Sequence, residues 1–69
     1  MVCARILPNN IEKCTEKDRV SLRELLDFLR EEIEGYDVII LVNDSLAEDL
    51  DSTVSSDDRV IVVKENIGG

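Results

Sequence analysis

Residues 20–42 read VSLRELLDFLREEIEGYDVIILV and contain the helix and the strand that decide the fold. Ser21 and Glu24 have the spacing of a capping box, in which each side chain binds the backbone N–H of the other residue. Gly35 stands where a C-terminal helix cap belongs. The pattern therefore predicts a helix over about 22–33. Its apolar residues fall on one stripe at helical spacing, namely Leu22, Leu25, Leu26, Leu29 and Ile33.

Four further stretches predict strands. Continuous runs of branched apolar residues at 38–42 and 60–63 are typical of strands with little exposure. Residues 2–7 alternate loosely, which predicts a half-buried strand, and residues 11–17 predict a more exposed partner in the same hairpin. The segment 44–59 is too long for a bare loop in a small domain, so we expect a short helical turn or an edge strand there. That element would bury three apolar residues, Leu46, Leu50 and Val54.

One α+β domain follows from this order of elements. A single apolar stripe on a helix must be buried, and the sheet offers the only surface for it. We expect a mixed sheet of four to five strands with the main helix packed on one face. Residues 1–64 would form this domain, and residues 65–69 would form a flexible C-terminal tail that ends in Gly-Gly.

The two cysteines, Cys3 and Cys14, flank the turn that begins at Pro8. A two-residue loop at Pro8-Asn9 would place them opposite each other, but type I′ and II′ turns need a positive φ that proline cannot adopt. A longer loop would separate them. We therefore expect small strand residues and no disulfide. Since the chain has no histidine, no zinc site is expected either.

Charge narrows the range of partners. The net charge is −8, from sixteen acidic and eight basic residues. Such a field disfavours direct binding to nucleic acid or anionic membranes and suits a partner with a basic surface, although acidity also aids solubility by itself. The sequence has neither an apolar run long enough to span a membrane nor the layout of a signal peptide. We expect a cytoplasmic monomer.

An enzyme active site is not predicted. Without histidine the usual general base is missing, the serines lack a base partner, and the glycines form no phosphate cradle. The acidic clusters at 31–34, 48–51 and 57–58 are expected to be solvated faces, so neither a metal nor a bound cofactor is predicted. The remaining reactive group is the carboxylate of Gly69. As the substrate of another protein, it could be activated with ATP. The alternative is that the C-terminal residues have no function and form a frayed end, as in most chains.

Three features resemble the β-grasp sulfur-carrier and ubiquitin-like proteins, such as ThiS, MoaD and the small archaeal modifier proteins. They are Val42-Asn43 after a strand, the run Asp58-Arg59-Val60-Ile61-Val62, and the final Gly68-Gly69. The resemblance implies a β-grasp fold and a ThiF/MoeB-like activating enzyme that uses ATP and Mg²⁺ to adenylate Gly69. A sulfur donor would then produce a thiocarboxylate, which a synthase would use for thiamine, molybdopterin or tRNA thiolation.

The resemblance also assigns roles to the last residues. Gly69 is the reactive carrier terminus, Gly68 passes through a narrow slot, and Asn66 and Ile67 lie in the groove of the activating enzyme. Two alternatives stay open. In the first, the same end is conjugated to lysines, with candidate acceptors in this chain at Lys13, Lys17 and Lys64. In the second, the protein is an interaction domain with an incidental tail.

Overall fold

A computed structural model describes residues 1–65 as seven strands and two short helices. In chain order these are β1 (Val2–Leu7), β2 (Ile11–Thr15), β3 (Arg19–Ser21), α1 (Leu22–Phe28), α2 (Arg30–Ile33), β4 (Asp37–Val42), β5 (Ser45–Leu46), β6 (Thr53–Ser55) and β7 (Val60–Glu65). Five strands form one sheet in the order β2-β1-β7-β4-β5, and β3 pairs with β6. The predicted small α+β domain with a mixed sheet is thus confirmed.

The last strand lies in the middle of the sheet. β7 runs parallel to β1, with Ala4 opposite Val60, and antiparallel to β4, with Ile40 opposite Val62. β2 pairs antiparallel with β1 at one edge, and the short β5 pairs antiparallel with β4 at the other. The chain therefore leaves the described region from the central strand.

The core lies between one face of the sheet and α1. Side chains alternate across a strand, so every second residue of the central strands points to this face. Complete burial of an aliphatic side chain of this size stabilises the fold by about 1.5–3 kcal/mol. The buried residues are Val2, Ala4, Ile6, Val20, Leu22, Leu25, Leu29, Ile40, Val54, Val60 and Val62.

The predicted helix 22–33 forms in two pieces. Ser21 accepts a hydrogen bond from the backbone N–H of Glu24 at 3.1 Å, as the capping box requires. Leu29 then leaves the helical region, with φ −91° and ψ 6°, and separates the seven residues of α1 from the four of α2. Gly35 has φ +87°, as expected for a residue that ends a helix. No helix in residues 1–65 combines the length and apolar character needed to cross a bilayer.

The segment 44–59 contains two short strands. The structure places β5 at the sheet edge and pairs β6 with β3, a strand that the sequence did not predict. Val54 is buried and Leu50 packs against the core, but Leu46 is 59% exposed. The prediction that Leu46 is buried is therefore wrong. It pairs with Leu41 in the ladder, and its side chain shares the uncovered face of the sheet with Leu41.

The prediction for the cysteines is also wrong. Cys3 and Cys14 are directly opposite in the β1–β2 ladder and form a disulfide, with a Cα–Cα distance of 4.0 Å. The prediction considered only type I′ and II′ turns. The loop instead has a cis Leu7-Pro8 peptide bond and a positive φ of 62° at Asn10, and it keeps the register that the prediction rejected.

Candidate functional site

The predicted site residues Asn66, Ile67, Gly68 and Gly69 lie outside the residues that the structure describes. The structure does describe the surface from which they continue. β7 ends at Glu65, which pairs with β4 two residues beyond the last pair with β1, and its outward-facing residues are Ile61, Val63 and Glu65. The surroundings of this strand end therefore define the candidate site.

An apolar patch lies on the outer face of the sheet beside β7, with Arg5 opposite Ile61 at its border. Val63 lies opposite Leu7 on β1 and Ile39 on β4. Ile61 lies opposite Leu41, which in turn pairs with Leu46. None of these side chains belongs to the buried core or packs against it, and no described helix lies on this face. We call the group the outer patch: Leu7, Ile39, Leu41, Leu46, Ile61 and Val63.

Acidic side chains border the outer patch where β7 ends. Asp37 and Glu65 are opposite each other in the β4–β7 ladder, on the same face as the patch. Like charges in this position repel each other. Close by, the Lys64 ammonium lies 4.6 Å from the centre of the Tyr36 ring, a cation–π contact. A partner with basic groups here would relieve the repulsion between the two carboxylates.

A polar network fixes the other end of β7. Asp58 accepts hydrogen bonds from the Ser55 backbone N–H at 2.8 Å and from the Asn43 side-chain amide at 2.9 Å. Asn43 has a positive φ of 52°, and its side-chain oxygen accepts from the Arg59 N–H at 2.8 Å. These two hydrogen bonds hold the pKa of the Asp58 carboxyl below its usual range, and the bond from Ser55 has the larger effect.

This network positions the strand. It ties the turn after β4 to the turn before β7, so it fixes where the central strand begins. The resemblance described above included Asn43 and Asp58 only as parts of a pattern. The available signal in the sequence is the pair Asn43-Asp44 at the end of β4, because asparagine and aspartate tolerate the left-handed conformation, and both residues have a positive φ here.

The three candidate acceptor lysines are spread over the molecule. Lys13 lies 3.6 Å from Glu32, and Lys17 lies 3.1 Å from Glu24. Lys17 lowers the pKa of Glu24 through its hydrogen bond and its charge. Its side chain is 65% exposed, so it is open to modification. Only Lys64 lies close to the end of β7, where Tyr36 covers it.

The acidic clusters form no convergent site in the described part of the chain. Within residues 1–65 no three Asp, Glu, Cys or His side chains are placed to hold one metal ion. Arg23 pairs with Asp51 at 3.2 Å, and Arg30 pairs with Asp27 at 3.6 Å. These ion pairs are exposed and contribute little to stability.

The sequence matches no protein-family model, and no curated protein is significantly similar to it. Assignment of a function therefore depends on the residues themselves and on the geometry around β7.

Proposed function

We propose that this chain is a β-grasp sulfur carrier, activated at its C-terminal Gly69 by a ThiF/MoeB-like enzyme. The observation that carries the proposal is the position of β7. It is the central strand, it lies beside the outer patch, and the diglycine sequence follows it in the chain. A mixed sheet whose first and last strands are parallel neighbours, with a helix on one face, is compatible with the β-grasp fold.

The outer patch supports docking of such an enzyme. Six apolar side chains on one face that nothing in residues 1–65 covers are more than scattered surface residues, and contiguous patches of this kind mark interaction sites. Four residues follow Glu65, and an extended chain of that length spans about 13–14 Å. An enzyme that binds the outer patch can therefore hold its nucleotide within reach of Gly69.

The chemistry belongs to the partner. A terminal carboxylate has a pKa of about 3.3–3.7 and is ionised at neutral pH. One of its oxygens attacks the α-phosphorus of ATP, and pyrophosphate leaves. A hydrosulfide ion supplied by the sulfur donor then attacks the acyl-adenylate carbon, and AMP leaves with the displaced carboxylate oxygen, so that a terminal thiocarboxylate forms. In the alternative use of the same intermediate, a lysine amine takes the acyl group and an isopeptide bond forms.

Mass spectrometry of the protein from its native host tests the proposal. The expected result is a chain that ends at Gly69, with part of the population heavier by the difference between a sulfur and an oxygen atom. Diglycine remnants on lysines of other proteins would indicate a protein modifier. A chain that continues past Gly69, or unmodified protein even when the activating enzyme is present, would leave an interaction domain as the better explanation.

A further inference from the structure

One edge of the five-stranded sheet is covered over only half its length. β5 pairs with Leu41 and Val42, at the end of β4. The next contact is a single hydrogen bond, from the Ala47 N–H to the Ile40 carbonyl oxygen at 2.8 Å. Among residues 1–65, the earlier part of β4 has a strand partner only on its β7 side.

The backbone of Val38 is directed to this open edge. The Asn43 N–H donates to the Arg59 carbonyl, in register with the β4–β7 ladder. Hydrogen-bonded pairs alternate along an antiparallel ladder, so odd-numbered residues of β4 bond to β7 and even-numbered residues face the other way. Both polar backbone groups of Val38 and the N–H of Ile40 therefore face outward. Nothing in the described chain pairs with them.

An apolar groove runs beside the open edge. It has a volume of about 580 Å³ and separates α1 from the segment that follows β5. Its apolar walls come from the helix, from β4, from β5 and from that segment: Leu26, Val38, Ile39, Ile40, Leu46, Ala47 and Leu50. A strand that paired with Val38 would lie along this groove, and every second side chain would enter it. Backbone pairing would provide affinity and the groove would provide selectivity.

Charge favours a different protein over a second copy of this chain as the molecule that binds the open edge. Asp37 begins the open part of β4, and Glu48 lines the groove. Neither carboxylate has an ion pair with any residue among 1–65. Edge-to-edge pairing of two copies would bring like charges together, and each copy already carries −8. A segment with basic residues would be attracted to both carboxylates.

We infer that the open edge of β4 is a docking site for an extended segment of a partner protein. The segment has apolar side chains at alternate positions and Lys or Arg beside them, and it adds a strand to the sheet at Val38. This site is centred on the sheet edge at Val38 and shares Ile39 and Leu46 with the outer patch. Strand pairing at Val38 does not require the C-terminal carboxylate, so either proposal can fail alone.

The test is a titration of the isotope-labelled full chain with a synthetic peptide of alternating valine and threonine flanked by lysines. We expect amide shift changes concentrated at Val38, Ile40 and Ala47, and slower hydrogen exchange at Val38. A peptide with the same core and flanking glutamates should bind about ten-fold more weakly at low salt, and the difference should shrink as salt is added. Equal affinities, or shifts centred on the outer patch, would overturn the inference. So would self-association through this edge that the peptide does not displace.

Two variants sharpen the result. Val38→Pro removes an outward N–H, a change that an open edge tolerates, and should weaken lysine-peptide binding at least about ten-fold. Glu48→Lys should abolish or reverse the preference for lysine flanks, and it decides the outcome if Val38→Pro does not fold. The control is Glu16→Lys, which makes the same charge change in an exposed loop between β2 and β3. Unchanged binding by folded Val38→Pro, or the same effect from Glu16→Lys, would contradict the site.

Deletion of Gly69 separates the two proposals. It should abolish adenylation and leave the lysine-flanked peptide bound with unchanged affinity. If the deletion weakened peptide binding as well, the edge would not be an independent site and the inference would be wrong.

Discussion

The two faces of the five-stranded sheet are both apolar, but only one of them is covered. The inner face packs on α1 and includes fully buried residues such as Val2, Ile6 and Val62. The outer face carries the outer patch, which no described element covers. Burial in the core accounts for the apolar residues of the inner face. Those of the outer face are half-buried or exposed, so burial in the fold accounts for only part of their apolar character.

The largest difference between the faces should appear in core truncations. Leu25→Ala removes a completely buried side chain of α1 and should lower the free energy of unfolding by about 2–5 kcal/mol. Leu46→Ala, on the outer face, should change it by no more than about 0.5 kcal/mol, because Leu46 is 59% exposed. Urea denaturation measures both values. Similar losses for the two variants would mean that the outer face also contributes to the core.

The disulfide should give the next largest effect. Cys3 and Cys14 are eleven residues apart, and opening a loop of that size costs about 2–3 kcal/mol in the chain-entropy treatment. We expect the double variant Cys3→Ser, Cys14→Ser to lose this amount in urea denaturation under oxidising conditions. In the presence of a reductant the wild type should become as unstable as the variant. A variant as stable as the oxidised wild type would contradict the prediction.

The cross-link also bears on the predicted compartment. Disulfides persist mainly in oxidising environments and are rare in the cytoplasm, which is the location predicted from the sequence. Alkylation of free thiols in intact native cells, followed by mass spectrometry, measures the state of Cys3 and Cys14. Reduced thiols would agree with the cytoplasmic prediction, and an intact disulfide would favour an oxidising compartment.

Polar substitutions in the outer patch should separate function from stability. Ile61→Ser and Leu41→Ser replace half-buried residues and should cost about 1 kcal/mol or less in unfolding free energy. If the patch binds the activating enzyme, each should lower kcat/KM for adenylation by at least about ten-fold, as central interface residues do. Glu16→Lys serves as the control and should alter neither quantity. Full activity of both serine variants would mean that the outer patch is not part of the interface with the activating enzyme.

The smallest expected effect is a dependence of stability on pH. The folded chain lowers the pKa values of Asp58 and Glu24, so the folded state binds fewer protons than the unfolded state in the acid range. Their contribution is complete above the ordinary carboxyl values of about 3.9 and 4.3 and is lost as pH falls through the lowered ones. Asp58→Asn should reduce the dependence of the unfolding free energy on pH, measured by urea denaturation at several acidic pH values. An unchanged pH dependence would mean that the network does not stabilise the folded state.

Local patterns predicted the parts of the fold that short segments specify. The capping box at Ser21, the cap at Gly35 and the first strand, residues 2–7, depend on neighbouring residues and are confirmed. The two errors have different causes. The disulfide depends on the conformation of a four-residue loop that the turn types considered did not include. The exposure of Leu46 depends on its pairing with Leu41, whose side chain lies on the face of the sheet away from the core.

The candidate site was predictable only in part. The diglycine can be seen in the sequence, but the outer patch cannot, because its residues come from four strands that only the sheet order brings together. The open edge of β4 also cannot be predicted from the sequence, because it exists only where β5 does not extend along β4 beyond Leu41 and Val42. The roles of Asn66, Ile67, Gly68 and Gly69 stay predictions.

ATP–pyrophosphate exchange with a cognate ThiF/MoeB-like enzyme tests the central claim most directly. We expect exchange with the chain that ends at Gly69. After deletion of Gly69 we expect none, while the unfolding free energy stays within about 0.5 kcal/mol of the wild type. No exchange with the intact chain, or equal exchange after the deletion, would contradict it.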